Sequence, residues 1–338
     1  MGRVTVRQAR EPDAEAVAAF TGDTWGERHD DYIPRVFAEW VASDDETQRT
    51  FVATVDPADL ESIAGSEGVG DPTVVTGDGT GAAASGEPEA VVGCVQGVLL
   101  SEWESWAQGI RVTPAARGLG VGSRLSEAVL DWARSAGATV CRNMVFSWNV
   151  AGLGQSRAVG FDPGTEFRFA RPDPAAAPAS RPEGVVDDPD PDAVWAFWSR
   201  SDARDHLDGL GLDPGESWSC SQLTRERLAT AADEDRLIAI RNDGIAAFAL
   251  HTRVWERAGD DEGGDGERNA IYGNTAWRDA ETAEQLLDAI ARDAAERDAD
   301  NVRAFIPETV DHVSDVAASR VDVSAEPDFV MTADLTDR

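Results

Sequence analysis

The sequence contains no lysine: all 30 of its basic residues are arginine, against 63 acidic residues, which gives a formal net charge of −33. The acidic residues are dispersed over both halves of the chain and do not form a tail. No basic stripe is present that could displace counterions from phosphates, so the composition argues against a nucleic-acid partner. A uniformly acidic, lysine-free surface suits a cytoplasm of molar salt, where the Debye length is only about 3 Å. We interpret the charge as a halophilic adaptation.

Long apolar runs are also missing. No stretch of about 18 apolar residues could cross a membrane, and Met1 to Val6 opens directly into a strand-like alternation. We therefore expect a soluble, cytoplasmic protein with no membrane partner.

Cysteine and histidine are scarce. The three cysteines, Cys94, Cys141 and Cys220, lie in or beside apolar runs without C-x-x-C spacing, and the four histidines are scattered. Buried free thiols fit this pattern better than a disulfide framework or a metal site. We expect no metal cofactor.

The length of 338 residues favours two domains. Prolines at 172, 174, 178 and 182 can neither continue a helix nor donate to a central sheet. We place the linker there and predict domains at 1–171 and 189–338, joined by a proline- and acid-rich linker at 172–188. In the first half, the segment from Asp56 to Ala90 lacks periodicity and is expected to be an enlarged loop.

A glycine-rich loop is the main functional signal in the sequence. Arg117-Gly118-Leu119-Gly120-Val121-Gly122 lies between an apolar strand-like run and a helix-like run beginning near Ser123. Glycines let backbone N–H groups approach a pyrophosphate closely, and the helix N-terminus adds a partial positive charge. No G-K-[ST] follows, so this is not a Walker loop. The alternative is a simple turn entering the helix.

The loop and its flanks resemble the GCN5-related N-acetyltransferase (GNAT) superfamily. Arg117, Gly120 and Gly122 match the family's R/Q-x-x-G-x-G/A signature, which holds the pyrophosphate of acetyl-CoA. The segment from Trp106 to Pro114 resembles the family's fourth strand, and Asn149 with Gly160-Phe161 resembles its N-(x)11-G-F ending. The resemblance implies an α/β layered fold with a mixed central sheet flanked by helices.

The second half repeats the predicted element order of the first. A hairpin around Asn242-Asp243-Gly244, a helix from Glu281 to Glu296 and strands on either side of it are expected. In place of the glycine loop stands Thr275 to Glu281, whose acids would repel pyrophosphate. We predict a second GNAT-like domain that is degenerate and non-catalytic, serving as scaffold or as a wall of the acceptor site.

The resemblance implies acetyl-CoA as the acetyl donor. The residues expected to bind acetyl-CoA are two on the strand before the loop, those of the loop and the start of its helix, and one asparagine. They are Ile110, Val112, Arg117, Gly118, Leu119, Gly120, Val121, Gly122, Ser123 and Asn149. Arg117, in the loop, and Arg124, in the first helical turn, could contact the phosphates of the donor or could be solvated surface arginines.

The catalytic groups depart from the family's pattern. Gln108 stands about where many relatives carry a glutamate that acts as the general base. Glu104 and Glu102 lie on the same strand face and are the remaining candidates for this base. The alternative is that Ser101 to Ser105 forms a turn on which both glutamates are simply exposed. The family's tyrosine acid is replaced by Ser156, a weaker acid.

The resemblance implies that the segment from Trp25 to Pro34 overhangs the acceptor. His29 and Tyr32 are candidates for acid–base work there, and Asp30 and Asp31 could attract a cationic amine, unless the segment is a plain surface turn. Together these features predict an N-acetyltransferase that acetylates a primary amine of a small molecule or a protein by direct attack in a ternary complex, as a monomer or homodimer. The alternative is a non-catalytic, regulatory acyl-CoA-binding protein of the same fold.

Overall fold

The computed structural model describes residues 4–22, 24–26, 31–58, 74–75, 89–257 and 266–336. These residues form two compact units: unit 1 holds those within 1–143, 150–162 and 332–338, and unit 2 holds those within 144–149 and 163–331. The domain limits predicted from the linker prolines remain a prediction. His29 and most of the loop predicted at 56–90 lie outside the described residues.

Unit 1 is built on a mixed sheet. Its strands are β1 (Thr5–Gln8), β2 (Gln48–Val55), β3 (Val74–Val75), β4 (Glu89–Leu99), β5 (Glu104–Val112) and β6 (Val140–Phe146, of which 140–143 lie in this unit). The order is β1-β2-β4-β5-β6, with β3 paired to β4. All pairs are antiparallel except β5 with β6, which run parallel. The short strand β3 was not expected within the predicted loop.

Helices cover both faces of the unit 1 sheet. They are α1 (Asp13–Thr21), α2 (Ile33–Ala42), α3 (Val121–Ser135) and α4 (Val150–Ala158). In α3, buried Leu125, Val129 and Ala133 recur every fourth residue and so form one apolar face. Gly137, which follows the end of α3, has a φ of +99°, which only glycine adopts readily. Because α3 connects the parallel strands β5 and β6, its N-terminus lies at the end of β5.

Unit 2 repeats this plan. The strands of its main sheet run in the order β7-β13-β12-β11-β10, with β14 on β7, and only β12 and β13 are parallel to each other. Their bounds are β7 (Asp162–Arg171), β10 (Leu237–Arg241), β11 (Ile245–Arg257), β12 (Glu267–Trp277), β13 (Asn301–Pro307) and β14 (Asp322–Val323). A separate two-stranded sheet contains β8 (Leu210–Leu212) and β9 (Cys220–Gln222), and β15 (Asp328–Asp334) has residues in each unit.

The helices of unit 2 complete the second copy. They are α5 (Pro191–Trp198), α6 (Asp202–His206), α7 (Arg225–Asp233), α8 (Ala280–Glu296) and α9 (Val310–Ala318). Helix α8 joins the parallel strands β12 and β13, as α3 joins β5 and β6, and its Leu286, Leu287 and Ile290 pack in the core with Tyr272. The predicted hairpin around Asn242 and the helix ending at Glu296 are confirmed. The predicted α/β fold with two similarly built domains is therefore confirmed.

Candidate active site

The glycine loop turns the end of β5 into α3 through two left-handed residues. Gly118 has a φ of +77° and Gly120 a φ of +76°, and a Cβ built at either one would meet no atom within 4 Å. A residue with a side chain would be strained at such a φ. Gly120 is the N-cap of α3 and supplies no side-chain oxygen to the helix. The first turn of α3 is therefore uncapped and exposed to a ligand.

After Arg117, whose N–H donates to Pro114 O at 3.3 Å, the backbone N–H groups of the loop have no acceptor in the described part of the chain. Among the described residues, none of the N–H groups from Gly118 to Ser123 donates to a protein acceptor, and the regular helical bonds resume with Arg124 N–H to Gly120 O at 3.1 Å. Six successive free donors at a helix N-terminus form an anion-binding surface. The geometry is that of a phosphate loop.

A glutamine supports the first turn of α3 from the side. Gln155 of α4 donates from Nε2 to the carbonyl of Gly122 at 3.2 Å and to Ser126 Oγ at 2.7 Å. This contact holds the turn through a carbonyl oxygen and a hydroxyl. It leaves the backbone N–H groups of the turn available to a ligand. No motif in the sequence pointed to Gln155, because the contact joins residues 33 positions apart.

The other residues of the loop have different surroundings. Val121 is buried, Leu119 and Ser123 are half-buried, and Arg117 is exposed. Arg124, considered above as a phosphate contact or a solvated side chain, instead donates from Nη1 to the carbonyl of Val4 at 3.0 Å.

Among the residues that the structure describes, no strand pairs with the edge of β5 beside the loop. Its parallel pairing with β6 covers only residues 104–106 and 140–142. Farther along, Thr113 N–H donates to Val92 O on β4 at 2.9 Å, and Val112 pairs with Gly93. Since alternate residues of a strand bond to opposite neighbours, the backbone groups of Ile110 and Val112 face the edge away from β4. These are the two strand positions predicted to pair with the donor.

The predicted acid Ser156 is buried on α4, with 1% of its surface exposed. Asn143 Nδ2 donates to its hydroxyl at 3.2 Å. Because the hydroxyl accepts this bond, its own proton is directed elsewhere. Asn149 lies immediately before α4, and its backbone N–H donates to Phe146 O at 2.8 Å.

A buried ion pair anchors the segment before α2. Asp31 receives two bonds from Arg111 of β5, from Nε at 2.6 Å and from Nη2 at 3.1 Å, and it also accepts the backbone N–H of Ile33. The Asp31 side chain is fully buried. The expectation that Asp31 attracts an amine is therefore wrong, because Arg111 already neutralises it.

Aromatic side chains surround this ion pair. The guanidinium carbon of Arg111 lies 4.8 Å from the ring centre of Trp25 and 5.8 Å from that of Tyr32. Tyr32, the predicted acid–base candidate, is 36% exposed and packs edge-on against Trp40 at 6.0 Å. Trp40 in turn lies against Gly109, whose φ of +64° marks a bulge in β5: a Cβ there would approach Trp40 to 2.6 Å. The wall beside the β5 bulge is therefore aromatic.

Glu104, the predicted base, lies at the start of β5 in a second buried ion pair. Arg142 Nη1 donates to Glu104 Oε1 at 2.7 Å, and both side chains are at most 5% exposed. The turn at 101–104 exists, since Leu100 N–H donates to Glu104 O, and Glu102 is exposed on it. The expectation that both glutamates are exposed thus fails for Glu104. To take a proton, Glu104 would leave a buried guanidinium unpaired, at a cost of about 3–5 kcal/mol.

The corresponding loop of unit 2 is closed by its own side chains. Asp279 caps α8, where its carboxylate accepts the backbone N–H of Thr282 at 2.9 Å in a reciprocal capping box. This bond lowers the pKa of Asp279, so the helix N-terminus already holds an anion. Trp277, at the end of β12, donates from Nε1 to Asp315 of α9 at 2.9 Å. That this unit is degenerate and non-catalytic stays a prediction.

The three cysteines are free and buried, as expected. Burial raises the pKa of Cys94 to about 12 and that of Cys141 to about 11, which makes both thiols unreactive. In the described ranges, no group of three or more histidine, cysteine and acidic side chains is arranged to hold a metal. Of the helices described, none is both long and apolar enough for a membrane span.

A family model matches the part of the chain that contains this site. The model of the "Acetyltransferase (GNAT) family" matches residues 73–154, which include β5, the glycine loop and α3. No protein of curated function matches the sequence significantly. A GCN5-related N-acetyltransferase from Sphaerobacter thermophilus is similar over 98% of this chain and 96% of its own, with a TM-score of 0.56 and 15% identity.

A second solved structure repeats the two-unit plan. It is a tandem GNAT protein from the clavulanic acid biosynthesis pathway, similar over 99% of this chain and 100% of its own, with a TM-score of 0.52 and 12% identity. At these identities the likeness concerns the fold. The chain therefore shares the fold of these two solved structures, and its residues 73–154 match the model of the acetyltransferase (GNAT) family.

Proposed function

We propose that unit 1 binds acetyl-CoA and transfers its acetyl group to a primary amine of a small molecule or a protein. The row of unused N–H groups from Gly118 to Ser123 is the observation that carries this proposal. Such a row binds a pyrophosphate without any conformational change. The match of residues 73–154 to the GNAT family supports acetyl-CoA as the donor.

Each predicted cofactor residue has a role in this proposal. The pyrophosphate would receive N–H groups from residues 118–123, and Arg117 would add a positive charge at the loop entrance. The pantetheine arm would pair with the open edge at Ile110 and Val112, which brings the thioester towards the β5 bulge at Gly109. Asn149, before α4, would contact the donor. No metal takes part.

The reaction needs an amine without its extra proton. The nitrogen attacks the thioester carbonyl in a ternary complex, a C–N bond forms, the C–S bond breaks, and the thiolate takes up a proton. We assign the thiolate proton to Ser156, whose hydroxyl accepts from Asn143. Tyr32 and His29 are the candidates for taking the amine proton, directly or through water. Glu104 is a weaker candidate because of its pair with Arg142.

The remaining features of the proposal follow from composition. The acceptor is an amine and not a nucleic acid, since a net charge of −33 repels polyanions. We propose a cytoplasmic, halophilic protein that acts without a membrane, as a monomer or homodimer. The domains would be a catalytic one at 1–171 and a degenerate one at 189–338, joined by the linker at 172–188.

The direct test is acetyl-CoA binding by calorimetry in molar KCl. Gly120→Glu should abolish binding, because it places a carboxylate among the free N–H groups. Gly120→Ala introduces the same strained φ without the charge and should retain weakened binding, since its Cβ has open space. Gly244→Glu is the matched control: Gly244 also has a positive φ and open space, but lies in the unit 2 hairpin.

The outcomes separate the possible functions. Binding that is lost only in Gly120→Glu supports the donor site, and release of coenzyme A with a panel of primary amines then supports the enzyme. Binding without turnover would leave the alternative, a regulatory acyl-CoA-binding protein. A folded wild-type protein that does not bind acetyl-CoA would refute both.

A further inference from the structure

A polar cleft of about 380 Å³ lies in unit 2. It is formed where β12 and β13 begin, around Asn269 and Arg303, and where β7 ends at Arg171. The loop that corresponds to the donor loop of unit 1 follows the other end of β12. At about 3.3 Å per residue, the 11 residues of β12 separate that loop from the cleft by about 30 Å. The cleft is therefore distinct from the counterpart of the donor site.

Charged side chains of both signs line this cleft. They are two arginines, Arg171 and Arg303, and four acidic residues, Asp173, Glu267, Asp300 and Asp322. Leaving Arg303 aside, none of these side chains forms an ion pair with a residue that the structure describes. The cleft therefore holds charges of both signs that the protein itself does not neutralise.

The two arginines are neighbours on adjacent strands. Strands β7 and β13 are antiparallel with Ala170 opposite Ala304, so the next position along places Arg171 opposite Arg303. Side chains at such positions project from the same side of the sheet with Cβ atoms about 5 Å apart, where like charges repel each other. The planar fork of N–H donors on arginine matches the two oxygens of a carboxylate. A carboxylate between the two guanidiniums would relieve their repulsion.

Tryptophan rings orient one of the two guanidiniums. The guanidinium carbon of Arg303 lies 4.9 Å from the ring centre of Trp218 and 5.8 Å from that of Trp255. Trp218 has a φ of +63°, which a bulky residue rarely adopts and which persists only where the surrounding structure fixes it. Stacking uses the faces of a guanidinium, whereas its N–H donors lie in its plane. The rings therefore fix the direction of Arg303 without using its donors.

Asn269 supplies a buried acceptor beside the arginine pair. It lines the cleft with only 5% of its surface exposed, and its Nδ2 donates to the carbonyl of Glu267 at 3.3 Å. Its Oδ1 accepts no hydrogen bond from the described part of the chain. In the strand register Asn269 faces Asn301, two residues before Arg303, so Asn269 and Arg303 share one side of the sheet. A buried oxygen of this kind is costly unless a ligand or water donates to it.

The charges around the cleft favour one class of small molecule. A simple anion would satisfy the arginines but meet four carboxylates, and a simple cation would meet two guanidiniums. An α-amino acid carries a carboxylate and an ammonium on one carbon. Because four acids face two arginines, the lining has a formal charge of −2, which favours a second positive charge on the ligand. A volume of about 380 Å³ lies in the range of small-molecule sites.

We propose that this cleft of unit 2 binds a basic α-amino acid, with its carboxylate between Arg171 and Arg303, its α-ammonium on Asn269 Oδ1 and its side-chain cation among the acidic residues. The inference goes beyond the proposed acetyl transfer and does not depend on it, because the site uses none of the residues assigned to the donor.

The first test is calorimetry on the full chain in molar KCl without acetyl-CoA. L-Lysine is compared with cadaverine, which lacks the carboxylate, and with 6-aminohexanoate, which lacks the α-ammonium. L-Lysine should bind, and each analogue should bind at least about tenfold more weakly, because each lacks one charged hydrogen-bonding group. An analogue that binds as tightly as L-lysine would overturn the proposal. So would the absence of L-lysine binding up to about 10 mM.

The second test uses variants of the cleft. Arg171→Gln should weaken the binding of L-lysine by about tenfold but not that of cadaverine, which has no carboxylate to lose. It should not lower the melting temperature of the free protein, since it removes a repulsion between like charges. Arg200→Gln is the control, because Arg200 is an exposed arginine of unit 2 that lies outside the cleft and forms no ion pair with a described residue.

Asn269→Leu tests the acceptor in the same way. It should weaken the binding of L-lysine but not that of 6-aminohexanoate, which has no α-ammonium. Equal losses for a ligand and its analogue, in either variant, would indicate structural damage and overturn the assignment. Since acetyl-CoA is absent from every measurement, failure of this proposal leaves the proposed function of unit 1 untouched, and the reverse also holds.

Discussion

His251 offers a quantitative test of the packing in unit 2. It lies on β11 with 5% of its surface exposed, and its ring faces that of Tyr272 at 5.4 Å. Neither ring nitrogen has a hydrogen-bond partner in the part of the chain that the structure describes. Burial lowers the pKa of His251 to about 4, and the positive charge of Arg297 acts in the same direction. The imidazole is therefore neutral in the folded protein.

The sign of the pH effect follows from this lowered pKa. Between about pH 6.5 and 4, the unfolded chain binds a proton at His251 that the folded chain does not, so stability is full above 6.5 and is lost as the pH falls. The pKa of His251 differs by about 2.5 units between the unfolded and the folded chain, which corresponds to about 3.4 kcal/mol of unfolding free energy. When the pH falls from about 7.5 to about 5, this titration lowers the free energy of unfolding by about 2 kcal/mol.

The substitution His251→Leu removes this titration. The free energy of unfolding of unit 2, measured with urea in molar KCl, should then fall by about 2 kcal/mol less between the two pH values than it does in the wild type. Asp328 titrates in the opposite sense, because burial raises its pKa to about 7, so only the difference between variants is informative. Thr252→Val is the matched control. Its hydroxyl is also buried and has no partner among the described residues, but it does not titrate.

Two separate results are expected for these variants. Both variants should be at least as stable as the wild type near neutral pH, since each removes a buried polar group that lacks a partner. Only His251→Leu should flatten the pH dependence. Equal pH slopes for His251→Leu and the wild type would refute the buried, neutral imidazole.

Three further predictions concern the loops around the candidate site and its counterpart. Asp31→Asn should lower the free energy of unfolding of unit 1 by about 3 kcal/mol in urea titrations, because it leaves Arg111 buried without its counter-charge; a loss below about 1 kcal/mol would contradict a desolvated pair. Gly109→Ala should reduce acetyl transfer more than acetyl-CoA binding, since its Cβ would displace Trp40 beside the bulge, whereas parallel losses would place the damage at the donor site. Asp279→Ala should lower the free energy of unfolding by about 1 kcal/mol, because α8 loses its N-terminal cap. Calorimetry should still give one acetyl-CoA bound per chain. Binding of a second acetyl-CoA would show that the Asp279 carboxylate alone excluded the ligand from unit 2.

The elements of the fold could be predicted from the sequence because their signals are local. Apolar residues at every fourth position predict helix α3, and Gly137 predicts where it ends. The turn sequence Asn242-Asp243-Gly244 predicts the hairpin of unit 2. The glycine loop was predictable for the same reason. Its φ values near +77° depend on the two glycines themselves.

The ion pairs could not be predicted, because they depend on strand register. Asp31 and Arg111 are 80 positions apart, and Glu104 and Arg142 are 38 apart. Nothing near Glu104 in the sequence distinguishes a buried carboxylate from the exposed one at Glu102. The hydrogen bonds that join Thr50, Gln96 and Gln108 were missed for the same reason, since they require the pairing of three strands.

The two crossover helices differ in what completes their first turn. Helix α8 carries its own anion in Asp279, whereas α3 begins at a glycine that offers no side-chain acceptor. For α3, the coenzyme's pyrophosphate would serve as the missing cap, so binding of the coenzyme and folding of unit 1 are thermodynamically linked. At a concentration of about 100 Kd, the coenzyme should stabilise the folded state by about 2.7 kcal/mol. Thermal stability would then follow the supply of the donor, and an excess of coenzyme would protect the glycine loop and the helix that begins there from unfolding and proteolysis.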